Sequence, residues 1–252
     1  AVEELGGIEY KWNAPTSGKD DAAQIECINN AVADGANLIL LASNGPDTQV
    51  ATLKEAAAQG VKIIYVDSPA NFEALQTLAT DNKAAGKTAG EQMLAGLKAN
   101  GIEKGKIGIV TVNAATMSTV LREEGFRSAF EGKGFEILET QYGEGQVDKS
   151  QQIATNYITE GCVGIFGTNE GSTVGVGNAI AEAGGKVVGV GFDKSDAVLQ
   201  HIKNGNLLCA MAQNPYVMGY EGMKSAKLVL DGGEISQKIV DTGVSVIDKN
   251  TK

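Results

Sequence analysis

Short apolar runs alternate along the chain with segments whose apolar residues recur at helical spacing. Each apolar run follows a glycine and is followed by polar turn residues, which is typical of buried strands connected by helices. The clearest runs cover residues 38–41, 61–66, 106–111, 163–166 and 187–192. Strands that alternate with helices of this length predict βαβ units and parallel sheets.

One predicted helix carries glycines among its apolar positions. It begins near Asp81 or Asn82 and contains Gly86 and Gly90. Because glycine lowers helix propensity, we interpret the pair as a sign that another backbone approaches this helix closely.

The two ends of the chain follow the pattern less regularly. Residues 1–7 resemble the end of a helix, residues 8–12 are predicted to form a strand, and a final strand is predicted near residues 239–246. Because an α/β domain normally begins with a strand, we expect that the first strand of the amino-terminal lobe is absent from this sequence.

Two stretches of the chain repeat the same strand–helix–strand pattern. Asn44 precedes Asp67 by 23 positions, and Asn169 precedes Asp193 by 24 positions. Both aspartates directly follow an apolar strand, and open α/β sheets place their ligand contacts at the carboxyl ends of parallel strands. The repeat therefore predicts two similar lobes, each of which presents an asparagine and an aspartate to one cleft.

The composition disfavours several classes of function. The chain has 31 acidic and 21 basic residues, a formal net charge of −10 and no cluster of Lys and Arg, which argues against a nucleic-acid partner. Its three cysteines lie far apart without CxxC spacing, so neither a zinc site nor a redox motif is indicated. No apolar run approaches the ~20 residues that a membrane span requires. We expect neither a metal nor a cofactor.

Polar side chains of related chemistry follow the predicted strands. Asp67, Asn169 and Asp193 stand at strand ends, Gln213 ends a run that starts at residue 207, and Arg122 lies on the helix after residues 106–111. Carboxylates, amides and a forked guanidinium bind neutral hydroxyl groups well. Since this set contains neither histidine nor a candidate nucleophile, it favours binding of a sugar or polyol over catalysis, and no catalytic residue is assigned.

Four separated motifs carry a family resemblance. They are LREEGF at 121–126, GTNE at 167–170, VGFD at 190–193 and MAQNP at 211–215. In this order they resemble the periplasmic sugar-binding proteins of ABC importers, in particular the ribose-binding-like group of the type I fold, and the similarity covers essentially the whole chain.

The resemblance implies a fold of two doubly wound parallel-sheet lobes joined by a three-strand hinge. It places residues 1–105 and 214–240 in the amino-terminal lobe, residues 106–213 in the carboxyl-terminal lobe, and residues 241–252 in a returning strand and tail at the hinge. By position, the ligand-contacting residues of the family match Asp67, Arg122, Asn169, Asp193 and Gln213.

The same resemblance implies how such a protein works. A monosaccharide or related polyol is captured by hinge closure, and the closed form is presented to a membrane ABC permease or a chemoreceptor. We expect a monomer that acts in the periplasm, or outside the cell as a membrane-anchored lipoprotein.

The sequence also departs from the family pattern. Ser68 stands where ribose-binding members commonly have arginine, and the region 142–146 has no ring-stacking aromatic residue unless Tyr142 takes that role. Asn13, Thr16 and Asn113 are further candidates for ligand contact because they follow predicted strands. These differences leave the identity of the sugar open.

Simpler roles and other functions stay open at this point. Asp67, Asp193 and Asn169 are also good helix N-caps, and Arg122 could pair at the surface with one of the two glutamates that follow it. Two other functions remain, namely the effector-binding core of a LacI-type transcription regulator and a sugar-modifying enzyme on the same fold. The acidic charge and the match around Gln213 favour the transport protein over the regulator.

Overall fold

The computed structural model describes residues 1–16, 20–114 and 116–251. The chain folds into two compact units, the first formed by Ala1–Thr80 and Asn214–Gly243, and the second by Asp81–Gln213 with the residues from Val244 onward. The chain therefore passes from one unit to the other three times, after Thr80, Gln213 and Gly243, in agreement with the predicted three crossings.

Helices and strands alternate through most of the chain. In chain order the elements are α1 (Val2–Leu5), α2 (Asp21–Ala33), β1 (Leu38–Leu41), α3 (Val50–Ala58), β2 (Lys62–Val66), β3 (Gln76–Ala79), α4 (Asn82–Ala99), β4 (Gly105–Thr111), α5 (Met117–Ala129), β5 (Phe135–Ile137), β6 (Gln141–Tyr142), α6 (Val147–Thr159), β7 (Cys162–Gly167), α7 (Glu170–Glu182), β8 (Val188–Phe192), α8 (Asp196–Lys203), β9 (Cys209–Gln213), α9 (Pro215–Leu230), β10 (Ile239–Asp241) and β11 (Val244–Asp248). None of the helices in the described ranges is both long and apolar enough to cross a membrane.

The first unit contains a parallel sheet in the order β1-β2-β3-β10. Leu53 of α3 packs with Ile63 and Tyr65 in one core cluster, while Ile64 and the α9 residue Ala226 belong to a second. Successive residues of β2 thus enter two different cores, because side chains alternate across a strand. Helices cover both faces of the sheet, as the apolar run at 61–66 predicts.

The second unit contains a larger sheet in the order β11-β9-β8-β7-β4-β5, and β6 also pairs with β4. All its pairs are parallel except β11 with β9. The rings of Phe126 and Phe166 stack at 4.3 Å in the core that α4 and α5 cover, and Tyr157, Ile165 and Ile180 pack in the core on the other face. The predicted doubly wound parallel fold is confirmed.

Helix α4 belongs to the second unit because its glycines allow it to pack tightly against α5. A Cβ atom on Gly86 would lie 2.0 Å from the carbonyl oxygen of Arg122, and one on Gly125 would lie 1.9 Å from that of Lys83. The structure therefore divides the chain after Thr80, whereas the prediction assigned residues 1–105 to the first lobe. The predicted close backbone approach is present, but it ties the helix to the other lobe.

Two predicted strands differ in the structure. Residues 8–12 form no strand, and the side chains of Tyr10 and Trp12 are 52% and 75% exposed. A segment with a strand-like pattern becomes a strand only when a neighbour pairs with its backbone hydrogen-bonding groups, and no described strand pairs with this segment.

The predicted final strand is two short strands in different sheets. β10 pairs with β3 in the first unit, and β11 pairs with β9 in the second. Between them the backbone turns at Gly243, whose φ of 71° suits glycine. Periodicity along the chain could not reveal that the two halves have different partners.

We expect the substitution Gly125→Ala to destabilise the protein by about 2 kcal/mol, because the added methyl group would meet the backbone of α4. Gly219 on α9 is the matched control, since a Cβ atom there would meet nothing within 4 Å. Gly219→Ala should leave stability unchanged or raise it by about 1 kcal/mol through helix propensity. Urea unfolding of both variants measures the difference, and equal stability of Gly125→Ala and the parent would contradict the close packing.

Candidate functional site

The carboxyl ends of four strands in the second unit bring the predicted site residues together. Strands β4, β7, β8 and β9 are parallel neighbours, so their carboxyl ends meet at one edge of the sheet. Asn169 lies just beyond the end of β7, Asp193 directly follows β8, and Gln213 ends β9. Arg122 reaches the same edge from α5, where it donates a hydrogen bond to the carbonyl oxygen of Thr168.

The Asp193 carboxylate is oriented by the protein on both oxygens. Its Oδ2 accepts from the backbone N–H of Glu170 at 2.9 Å, and its Oδ1 accepts from Gln213 Nε2 at 3.2 Å. Glu170 is the first residue of α7, so the carboxylate lies at the positive end of that helix. Each carboxylate oxygen has two acceptor sites, which leaves capacity for a ligand hydroxyl on both.

Asp193 adopts a backbone conformation that few residues other than glycine accept. Its φ is 74°, and its N–H donates to the carbonyl oxygen of Met211 on β9 at 2.9 Å. Strained backbone of this kind costs of order 1 kcal/mol and is concentrated at binding and catalytic sites.

Arg122 is a buried residue and not a surface cation. It is 4% exposed; its Nε donates to Asn82 Oδ1 at 2.8 Å and its Nη1 to the carbonyl oxygen of Thr168 at 2.9 Å. Its Cζ lies 4.1 Å from the centroid of the Phe192 ring, a cation–π geometry. The guanidinium is therefore held at two nitrogens and on one face.

The surface ion pair that the sequence left open for Arg122 does not form. Glu123 accepts from Arg127 Nε at 2.8 Å, and Glu124 pairs with Lys83 at 3.2 Å. Both glutamates following Arg122 thus have other cationic partners.

Asn169 is an N-cap as well as a residue of this edge. Its Oδ1 accepts a hydrogen bond from the backbone N–H of Ser172 at 3.3 Å, and this bond caps the N-terminus of α7. Its Nδ2 faces the loop before α6, where it would lie 3.7 Å from a Cβ atom on Gly145. The cap orients the amide, because the oxygen is used by the helix and the nitrogen points away from it.

Gln213 acts on Asp193 directly. Its Nε2 donates to the Asp193 carboxylate, and its Oε1 is buried without a hydrogen-bond partner among the described residues. Burial of an unpaired acceptor costs about 1–3 kcal/mol, which a hydroxyl donor at this position would recover.

Two weaker candidates of the second unit have other local roles. Asn113 Oδ1 accepts from the N–H of Thr116 at 2.7 Å and shapes the exposed turn before α5. Tyr142 is 44% exposed and lies opposite Thr111 in the β4–β6 pair, at the same sheet edge as Asp193.

The remaining candidates belong to the first unit. Asp67 directly follows β2, has a φ of 65°, and donates its N–H to Leu78 on β3 at 2.9 Å. Ser68 uses its hydroxyl to donate to the carbonyl oxygen of Ser43 at 2.9 Å. Asn13 and Thr16 are exposed and lie in a segment without helix or strand.

The internal repeat extends to backbone geometry. Asp67 and Asp193 both have positive φ, and each donates its N–H to the strand that neighbours its own. The two asparagines differ, because Asn44 does not cap the helix that follows it. Its backbone N–H donates to Gln24 Oε1 at 2.9 Å, and its Oδ1 accepts from Gln24 Nε2 at 3.1 Å.

Sequence reasoning missed the residues that hold Arg122 in place. Asn82 was considered only as a possible first residue of a helix, and Thr168 and Phe192 were parts of motifs without a role of their own. A partial signal for Phe192 exists, since it directly precedes Asp193 at the end of a strand. No sequence signal connects Asn82 with an arginine 40 positions later.

Metal ligation and thiol reactivity were considered as other kinds of chemistry for the described residues. No group of His, Cys, Asp or Glu in the described ranges could hold a metal ion. Burial raises the pKa of the Cys209 thiol to about 12 and that of Cys162 to about 11, so both thiols stay protonated and inert at neutral pH.

The fold is that of an α/β protein that presents hydrogen-bonding groups at the carboxyl ends of its parallel strands. Residues 1–234 match the model of the periplasmic binding protein domain family, and the chain belongs to that family. This membership confirms the resemblance on which the sequence expectations depend.

Individual relatives come from the same group. The chain is 28% identical over 241 residues to the ribose import binding protein RbsB of Haemophilus influenzae, covering 94% of this chain and 80% of that protein. It is similar to the carbohydrate transporter solute-binding protein of Agrobacterium radiobacter in complex with D-arabinose, with 33% identity, a TM-score of 0.83, and coverage of 92% and 81%. It is also similar to an ABC transporter solute-binding protein of Agrobacterium vitis with bound D-fucose, with 29% identity, a TM-score of 0.82, and coverage of 95% and 84%.

We expect Asp193→Gly to be more stable than Asp193→Ala by about 1 kcal/mol, because both lose the carboxylate but only glycine relieves the positive φ. Asp196, the first residue of α8, serves as control, since helical backbone there should make Ala better than Gly by about 1 kcal/mol. Urea unfolding of the four variants gives both differences. The same order at both positions would show that the backbone of Asp193 is not strained.

Proposed function

We propose that this protein is the solute-binding component of an ABC importer and captures a monosaccharide or a related polyol. One observation carries the proposal. A buried arginine stacked on Phe192 and a carboxylate fixed by Glu170 and Gln213 lie at one edge of the sheet, in a chain that belongs to the periplasmic binding protein domain family.

The chemistry of these groups suits a neutral ligand rich in hydroxyl groups. Asp193 accepts hydrogen bonds from hydroxyls, and Arg122 donates to hydroxyl or ring oxygens. Hydrogen bonds between a neutral and an ionised group are stronger than those between two neutral groups, so a sugar gains affinity without carrying charge. A site of this type rejects analogues that lack a hydroxyl, because its own buried groups would then be unpaired.

The class of ligand is supported by the relatives. Their names and complexes point to ribose, arabinose and fucose, which are all monosaccharides. We extend the proposal to Asp67 and Ser68 of the first unit, because Asp67 repeats the backbone geometry of Asp193. The hinge closure expected from the sequence is part of the same proposal.

The proposal includes the partners and place of action. Relatives named as import binding proteins support a protein that acts outside the cytoplasmic membrane and delivers the sugar to a membrane ABC permease. A chemoreceptor is the alternative recipient. We propose a binding protein and not an enzyme, acting as a monomer without nucleic acid, in line with the net charge of −10.

A thermal-shift panel tests the ligand class. D-ribose, D-allose, D-arabinose, D-fucose, D-tagatose and xylitol are compared with L-leucine as a non-sugar control. A sugar present at 100 times its Kd stabilises the folded protein by about 2.7 kcal/mol, which corresponds to roughly 5–10 °C for a chain of this size. No shift with any of the sugars, or a shift only with leucine, would reject the proposed ligand class.

The site assignment is tested with the sugar that gives the largest shift. We expect Arg122→Ala and Asp193→Ala each to weaken binding by about 2 kcal/mol or more, because each removal leaves buried partner groups unpaired. Titration calorimetry measures the affinities, with circular dichroism to establish that each variant is folded.

The matched controls for these variants are Arg127→Ala on the same helix and Lys194→Ala beside Asp193. Arg127 pairs with Glu123 and Thr140, and Lys194 is exposed. Both controls should bind the sugar as the parent does. Unchanged affinity in folded Arg122→Ala and Asp193→Ala variants would remove these residues from the site.

A further inference from the structure

The orientation of Arg122 depends on a residue that no motif of the chain marks. Its Nε–H donates to Asn82 Oδ1 at 2.8 Å, while its Nη1 is held by a backbone carbonyl and its flat face by Phe192. We propose that Asn82 is the positioning residue of the sugar-binding arginine, so that the affinity for sugar depends on a side chain that does not touch the sugar. This inference rests on the proposed function of Arg122.

The geometry indicates that Asn82 decides in which direction the guanidinium of Arg122 points. A guanidinium is planar, and its Nε is the nitrogen nearest the flexible stem. An acceptor at Nε fixes the rotation about the last stem bond, and therefore fixes where both terminal nitrogens point. The Thr168 carbonyl holds one terminal nitrogen, and the Phe192 ring sets the plane, so the three contacts together define one orientation.

The protein holds Asn82 in place through helix packing. Asn82 is the first residue of α4, and Asp81 caps that helix by accepting from the N–H of Ala84 at 2.9 Å. The contacts of Gly86 and Gly125 bring the backbones of α4 and α5 close together at this level. The asparagine and the arginine thus project from two helices whose separation is fixed.

Asn82 lies close to one of the points where the chain passes between the units. The chain passes from the first unit to the second after Thr80, so Asn82 is the second residue beyond this crossing. The arginine of the proposed site is therefore hydrogen-bonded to the first residue of the helix that begins directly after this crossing.

A structural role of Asn82 in starting α4 predicts different behaviour from a positioning role. Asn82→Ala removes the acceptor, whereas Asn82→Asp retains an oxygen in the same place and also suits the first turn of a helix. If Asn82 positions Arg122, the Ala variant should bind the best sugar of the panel at least about tenfold more weakly, since the guanidinium must then be ordered when the sugar binds. The Asp variant should stay within about threefold of the parent.

The adjacent residue provides the matched control. Lys83 also connects α4 with α5, through an exposed ion pair with Glu124 at 3.2 Å. Lys83→Ala removes a link between the same two helices and leaves Asn82, Thr168 and Phe192 in place, so it should leave sugar affinity unchanged.

A double-variant cycle tests whether Asn82 acts through Arg122. We expect the double variant Asn82→Ala/Arg122→Lys to lose less affinity than the sum of the two single losses. The reason is that lysine has no planar guanidinium group for Asn82 to orient. Additive losses in calorimetry would overturn the inference even if sugar binding itself is established.

Nuclear magnetic resonance gives a readout that needs no sugar. The chain contains two arginines, Arg122 and Arg127, so its spectrum has two Nε–H signals, one of which is an internal reference. In Asn82→Ala the Arg122 signal should shift and exchange faster with water, while the Arg127 signal, held by Glu123, stays in place.

The outcomes separate the two proposals. An Arg122 signal that does not respond to Asn82→Ala, or an Ala variant with the affinity of the parent, overturns the positioning role while sugar binding stands. A responsive signal in a protein that binds none of the five sugars or the polyol of the panel overturns the proposed function, and the positioning role in sugar binding fails with it.

Discussion

The second unit depends on the burial of one positive charge. A guanidinium that is 4% exposed is stable in the folded protein only if its N–H groups find acceptors. Those acceptors come from α4 and from the end of β7, and the ring of Phe192 on β8 covers its face. These elements must be assembled before the charge of Arg122 can be buried, so the contacts that shape the site also constrain the fold of the unit.

The same backbone conformation occurs at two aspartates, one in each unit. Asp67 and Asp193 directly follow strands at equivalent places of the repeat, and both have a positive φ. Such backbone is retained where a side chain must point in one direction, and its cost is offset by the ladder hydrogen bond of the same residue. The surroundings have diverged, since Asn169 caps a helix whereas Asn44 pairs with Gln24.

Several parts of the fold followed from local patterns, and some did not. Residues 61–66 and 187–192 are apolar on both faces and bounded by glycine and polar turns, which suffices to identify strands of a covered parallel sheet. Residues 8–12 alternate apolar and charged side chains as a strand does, but they have no described neighbour to pair with, and residues 239–246 divide between two sheets. Strand composition is a local property, whereas strand pairing is not.

By itself the sequence determined the class of the protein and most of its candidate binding residues, because strand ends, helix starts and short motifs are encoded by neighbouring positions. Arg122, Asn169, Asp193 and Gln213 were all found from such local signals, and the structure places them at one sheet edge. Only the tertiary structure decided that α4 packs with the second unit and that Asn82 holds the arginine. The physical reason is that this hydrogen bond joins residues 40 positions apart, and the packing of glycine-bearing helices, not any local preference, brings them within 2.8 Å.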